Sequence, residues 1–419
     1  MLSISFRAPL WFFLSLILCL LVCPVPTRIF AGLPEPLASC VSGAPEPASR
    51  SAVLMDALTG TVLYAKNPDE EIPPASLTKL MTMHIVFEEA AARNISLDEV
   101  LSPPRESWAV NQPPRSSLMF LAAGQRTSIR ELLLGLAVPS GNDAAVAAAL
   151  VFAPTVEGFT ALMNREVRRL GLVKTRFVEP SGISEYNATT AAEFARFCRE
   201  YIRRHPESLR EFHAVPDFAY PRAENVAEPF QDNPRTIVQP NRNALLKTFP
   251  GVDGLKTGYI DEAGYNIALT AERKGTRFIL VILGAPARPG GDRIRDADGE
   301  KLLAWAFDTF QTIRPVIGDP EPARLWKGKA DWVKLVPAEA ADFTAPVNRG
   351  SSLWLSTELQ EPLIAPLPAN YPVGNLVISD EKGELHRIPL LTGAEYEKGG
   401  VFKRLWDSVR LFFRGLSKK

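Results

Sequence analysis

The sequence predicts a mixed α/β (α+β) protein: an antiparallel sheet flanked by helices, then a small all-β unit, then a terminal amphipathic helix. Three observations predict it. Residues 51–57 and 61–65 are apolar, β-branched runs joined by Leu58-Thr59-Gly60, which is a hairpin pattern, and residues 265–271 and 278–283 form a second antiparallel pair. Between these pairs, apolar residues recur at helical spacing after Ser76 and after Ser128-Ile129-Arg130-Glu131, a capping box. Beyond them, short strand-like runs at 332–336, 352–355 and 376–379 read as the separate β unit.

Length and charge bound the function. A chain of 419 residues holds two or three globular units, and a formal net charge of zero gives no global attraction to nucleic acid. Residues 1–31 read as a signal segment: Arg7 is followed by an apolar run, and Ile29-Phe30-Ala31 offers a small-residue cleavage site. The expected protein is exported, to the periplasm or the outer face of the cytoplasmic membrane. Leu37-Ala38-Ser39-Cys40 has the look of a lipoprotein signal, but a polar, proline-rich gap separates it from the apolar run. Cleavage removes Cys19 and Cys23, and the remaining Cys40 and Cys198 make no disulfide framework. The four histidines, His84, His205, His213 and His386, show no metal-ligand spacing, so neither metal nor cofactor is expected.

The first helix carries the strongest chemical signal. In Pro73-Pro74-Ala75-Ser76-Leu77-Thr78-Lys79-Leu80 two prolines mark a helix start, and Leu77, Leu80, Met81, Ile85 and Val86 continue the period. Ser76 and Lys79 then share a face, so the amine can take the hydroxyl proton. The Ser76 N–H falls among the unpaired donors of a helix N-terminus, where partial positive charge favours an oxyanion. Taken alone, the pair also fits a capping Ser beside a solvated Lys.

Residues 88–114 are polar and proline-bearing, which predicts surface loops. The helix after Ser128 runs through Leu132, Leu133, Leu134 and Leu136 to a break at Pro139 and Gly141, and a second apolar helix spans 144–152. Ser140 and Asn142 project from that break, as a helix cap or into a cavity. Thr190-Ala191-Ala192-Glu193 is another capping box, opening the helix of Cys198, and residues 205–250 read as long polar excursions. Lys256-Thr257-Gly258 then adjoins Tyr259 ahead of the second strand pair, and an apolar helix is expected over 302–310.

Ser76-Leu77-Thr78-Lys79, Ser140-Gly141-Asn142 and Lys256-Thr257-Gly258, in that order, resemble the S-x-x-K, S-x-N and K-T-G boxes of the penicillin-interacting serine enzymes. With S-G-N and D-G-L-K-T-G the chain is similar to the low-molecular-mass D-alanyl-D-alanine carboxypeptidases, and the resemblance covers nearly all the mature chain. It implies a serine β-lactamase/transpeptidase-like catalytic domain over 43–314, a β-rich domain over 319–396 and an amphipathic helix over 401–419. It implies removal of the terminal D-alanine from peptidoglycan stem peptides through an acyl-enzyme on Ser76, with Lys79 as base, and acylation by β-lactam antibiotics.

Carried over residue by residue, Ser140 relays a proton to the leaving nitrogen and Asn142 binds a substrate amide. Lys256 and Thr257 hold the terminal carboxylate, Gly258 lets the strand approach, and the Tyr259 N–H pairs with that of Ser76 as oxyanion donor. Arg295 matches the family's carboxylate-binding Arg, with Arg293 as competitor. The family often has His and then Thr or Ser after K-T-G, where this chain has Tyr259 and Ile260. A β-lactamase on the same fold, a cross-link endopeptidase and a non-catalytic wall-binding protein are the alternatives. Class A β-lactamases need a Glu in an E-x-x-L-N setting, and no such string occurs.

The last expectation concerns residues 401–419. Val401, Phe402, Leu405, Trp406, Val409, Phe412, Phe413 and Leu416 form one helical stripe among six basic residues and the single acid Asp407. This pattern suits a helix lying in an anionic membrane surface, or one packed on its own domain.

Overall fold

The computed structural model describes residues 43–417. Residues 1–42, 418 and 419 lie outside the described residues, and so do the expectations of a signal segment and of Cys40 placed on them.

The N-terminal part is built on a five-stranded antiparallel sheet. Its strands are β1 (Ser51–Asp56), β2 (Val62–Lys66), β3 (Val252–Ile260), β4 (Gly264–Arg273) and β5 (Thr276–Ala285), in the spatial order β2-β1-β5-β4-β3. Every residue of β1 is buried, because helices cover both faces of the sheet; this is why the strand reads as a continuous apolar run instead of an alternating one. Register is fixed by pairs such as Ala52 with Ile282 and Thr257 with Ile267.

Helices α1 (Thr78–Arg93), α2 (Ile129–Ala137), α3 (Asn142–Phe152), α4 (Val156–Arg169) and α5 (Ala191–Arg204) form the helical body, and α5 packs on β1 and β5. The other face is covered by α6 (Gly291–Thr309), whose Leu302, Leu303 and Ala306 join Leu54, Leu269, Leu280 and Ile282 in one core.

Several boundaries differ from the sequence reading. α1 runs through Glu88 to Arg93, where Asn94 turns left-handed at φ 53° and ends it; solvated Glu and Ala continue a helix as readily as a loop. α6 begins at Gly291, well before 302, because its first turns carry charged residues, and Phe310 starts a strand. The polar segment after His205 is not all excursion, since Leu209, Phe212, Phe218 and Tyr220 are buried. The capping box at Ser128 forms in full, whereas Thr190 caps Glu193 without the reciprocal bond, because the Glu193 carboxylate accepts from Lys174 N and Thr175 Oγ1 instead.

The C-terminal part has its own core around Leu325, Val333, Phe343, Ile378, Ile388 and Leu390. Its four-stranded sheet runs Leu335–Pro337, Gly383–Thr392, Pro372–Asp380, Trp354–Leu359. Phe310–Ile313 pairs with Phe343–Pro346, so strand pairing reaches back past the boundary expected at 314. The helix Val401–Ser417 is tied to this part by Asp407, which is buried and accepts from Lys327 N at 2.7 Å, and by ion pairs Lys403–Asp331 and Arg414–Glu361. Its apolar stripe is left outside: Phe402 is 91% exposed and Trp406 63%. Among the described residues no single helix is long and apolar enough to cross a membrane.

Candidate active site

Ser76 sits in a 3-10 turn, Ala75–Leu77, that leads directly into α1. As the second residue of a helical turn its N–H has no intrahelical acceptor. Two glycines let the chain close around it. A Cβ at Gly258 on β3 would stand 2.9 Å from the Pro74 carbonyl oxygen and 3.0 Å from Ser76 N. At Gly182, with φ +82°, it would lie 1.9 Å from the Ala75 carbonyl oxygen. The K-T-G strand and the 178–187 loop therefore clamp the Ser76 turn from two sides. Gly182→Ala combines a left-handed backbone with a clash against main chain, so it should cost more than about 2 kcal/mol of stability, read as a lower urea midpoint.

Lys79, one helical turn on, is fully buried. Its Nζ lies 3.1 Å from Ser76 Oγ and 2.8 Å from Asn142 Oδ1, and it also donates to the Ser181 carbonyl. Burial brings its pKa down to about 7; Glu179 and Asp143 oppose the shift and Arg242 adds to it. A neutral amine has two N–H groups, which Asn142 Oδ1 and Ser181 O accept, and its lone pair is left facing the Ser76 hydroxyl. The loop that supplies the Ser181 carbonyl is organised by Glu179, which accepts from the N–H groups of Ser181 and Gly182 (both 2.7 Å) and from Asn187 Nδ2 (2.9 Å).

Ser140 and Asn142 occupy the break between α2 and α3. Ser140 has φ 65°, and its buried Oγ has no hydrogen-bond partner within the protein although it lines the cleft beside Ser76. An unpaired buried hydroxyl is costly, so it awaits a group delivered from outside. Asn142 Oδ1 accepts from Lys79 Nζ and its Nδ2 donates to Ser116 Oγ at 3.2 Å, so in this structure it orients the amine. Asp143 accepts from Met119, Phe120, Leu121 and Ala144 N–H at 2.8–3.0 Å and so holds the opposite wall.

The third side is β3. Thr257, Gly258 and Tyr259 line a cleft of about 460 Å³ that also contains Ser76, Ser140 and Arg295. Lys256 is buried behind them, with Nζ donating to the Thr257 carbonyl at 3.0 Å. Its pKa is driven well down, first by burial and then by Lys79, Arg242 and Arg295. Arg295 is 5% exposed, lines the cleft and is held by Asp296 (Nη2 to Oδ1 2.6 Å), while Arg293 is exposed and lies outside it. Of the two arginines, Arg295 alone lines the cleft. Tyr259, standing where the family often has His, stacks on Tyr265 with ring centroids 4.3 Å apart.

Sequence reasoning missed Arg242, Arg115 and Asp292, which also line the cleft. Arg242 Nε donates to the Pro139 carbonyl at 3.0 Å and so braces the Ser140 turn. It lies in the polar 205–250 segment, where no periodicity marks it. Three arginines against one aspartate make the cleft fit an anionic substrate.

The chain resembles known proteins over most of its described length. A family model described as D-alanyl-D-alanine carboxypeptidase matches residues 39–287, and one described as the C-terminal domain of penicillin-binding protein 5 matches residues 310–398. The chain is 35% identical over 377 residues to D-alanyl-D-alanine carboxypeptidase DacC of Escherichia coli K12, covering 88% of this chain and 90% of that protein. It is 31% identical over 309 residues to a D-alanyl-D-alanine endopeptidase of Pseudomonas aeruginosa, over 70% of this chain and 90% of that one. Among solved structures, penicillin-binding protein 5 from Haemophilus influenzae superposes with a TM-score of 0.76 at 30% identity, over 85% of this chain and 99% of that one.

Proposed function

Because the chain belongs to the D-alanyl-D-alanine carboxypeptidase family, a serine peptidase family, we propose that Ser76 is its nucleophile and Lys79 its general base. Ser76 Oγ attacks the carbonyl of the terminal amide while its proton passes to Lys79. The oxyanion is held by the N–H groups of Ser76 and Tyr259. The C–N bond then breaks and the leaving amine takes the proton from Lys79 through the Ser140 hydroxyl, which has no other partner. Water, deprotonated by Lys79, hydrolyses the ester and returns the proton to Ser76. Arg295 and the Thr257 hydroxyl bind the terminal carboxylate, with Lys256 buried behind them and its amine donating to the Thr257 carbonyl. The observation that carries this reading is the three-way hold on Lys79, which leaves one lone pair directed at Ser76.

A base with a pKa of about 7 has a stated pH signature. Acylation by penicillin should rise roughly tenfold per pH unit below about 7 and level off above it, as the neutral amine becomes the major form. Stopped-flow acylation rates measure this, and a profile flat from pH 5 to 8 counts against Lys79 as the base.

Peptidoglycan stem peptides and β-lactams are the ligands this family implies, and an exported protein is consistent with them. For anchoring, the exposed stripe at Phe402, Leu405, Trp406, Phe412 and Phe413 beside Lys403, Arg404, Arg410 and Arg414 supports a helix lying in an anionic membrane surface. Deleting residues after Gly400 should release the signal-processed protein from membranes while leaving D-alanine release from a soluble peptide nearly unchanged. Fractionation decides this; a truncated protein that stays membrane-bound is anchored elsewhere.

A further inference from the structure

Away from the cleft, three helices bring together a group of side chains that the acyl-transfer chemistry does not use. His84 and Glu88 lie on one face of α1 at i and i+4, and His205 caps the C-terminus of α5. His84 Nδ1 is 2.9 Å from His205 Nε2, His205 Nε2 is 3.4 Å from Glu88 Oε1, and one donor atom from each of the three lies within 4.8 Å of the others. We propose that His84, His205 and Glu88 form a binding site for a zinc-class divalent cation.

The donor set and its setting carry the proposal. Adjacent ligands around a tetrahedral zinc with bonds of about 2.0–2.1 Å are about 3.3 Å apart, so closure on a metal needs shifts of well under an ångström for the nearer pairs. Glu166 on α4 accepts from His84 Nε2 at 2.9 Å and is itself held by Arg169 at 2.7 Å. That carboxylate places the His84 proton on Nε2 and turns the Nδ1 lone pair toward His205, the arrangement that commonly orients a metal-bound histidine. With His84 Nε2 donating to Glu166, its Nδ1 accepts in the bond to His205, which assigns the His205 proton to Nε2. Metal binding moves it to Nδ1 of the same ring, so no proton need leave the protein.

Phe87, Phe197 and Tyr201 surround the two imidazoles, so the histidine side is dry. Glu88 is only partly buried, so this side of the cluster meets solvent. Arg204 pairs with Glu88 Oε2 and leaves Oε1 for the cation. A bound ion would tie together α1, which carries Lys79, and α5, and through Glu166 it would also engage α4.

The test uses the full chain stripped of metal with a chelator and titrated with zinc chloride by calorimetry. One zinc per chain is expected, with Glu88→Gln weakening binding at least tenfold and His205→Gln abolishing it. Substitution by Co²⁺ should give the visible bands of a four-coordinate ion, absent in His205→Gln. Retained penicillin labelling shows that each variant is folded, and His386→Gln should bind zinc as the unaltered chain does. No saturable binding, or binding unchanged in both Glu88→Gln and His205→Gln, overturns the site.

Discussion

Replacing Lys79 with alanine should slow acylation by every acyl donor, penicillins and peptides alike, by about 10³-fold or more. The effect follows from position: the amine is one helical turn from Ser76, fully buried, and no other amine among the described residues contacts the Ser76 hydroxyl. The same burial gives a second, independent readout. Unfolded, Lys79 keeps its proton up to about 10.5; folded, it loses it above about 7. The unfolded state therefore binds more protons between these limits, and stability rises with pH across that window. Lys256, whose pKa is also lowered, contributes in the same sense. Lys79→Ala should flatten part of this slope while destroying acylation. Penicillin-labelling rates and urea midpoints measured from pH 7 to 10 check both.

Arg295→Ala should cost roughly 10²-fold in kcat/KM for a substrate with a free terminal carboxylate, and only a few-fold when that carboxylate is amidated. A charge-assisted hydrogen bond to an ion contributes about 1.5–3 kcal/mol, and Arg295 is pre-set in the cleft wall by Asp296. Lys256→Ala should show a weaker preference of the same sign, because its buried amine donates to the Thr257 carbonyl and reaches the carboxylate only through that strand. Steady-state kinetics on the two substrates separate the cases. An equal loss for both substrates with Arg295→Ala would remove its anchoring role.

The three boxes were legible because each combines reactive residue types with a backbone signal: paired prolines before Ser76, Pro139 and Gly141 around Ser140, and a glycine at 258. Their convergence was not legible from local pattern, since it depends on β3 passing the Ser76 turn at a distance only Gly258 permits. The sequence also does not reveal that Asn142 bonds Lys79 through Oδ1 and Ser116 through Nδ2. Arg242 and Glu179 were missed for a related reason: each acts through a backbone group, bracing the Pro139 carbonyl or ordering the Ser181 loop, and such roles leave no spacing to read. The histidines were judged by sequence spacing alone, which hides a pair joined by helix packing across 121 positions. Helix ends slipped where charged residues suit loop and helix equally, at Glu88 and at Gly291.

The measurement that tests the account most directly is mass spectrometry of the protein after incubation with a penicillin, followed by peptide mapping. One covalent adduct per chain is expected, located on Ser76 and absent in a folded Ser76→Ala variant. An adduct that persists in Ser76→Ala, or that maps to Ser140, would contradict it.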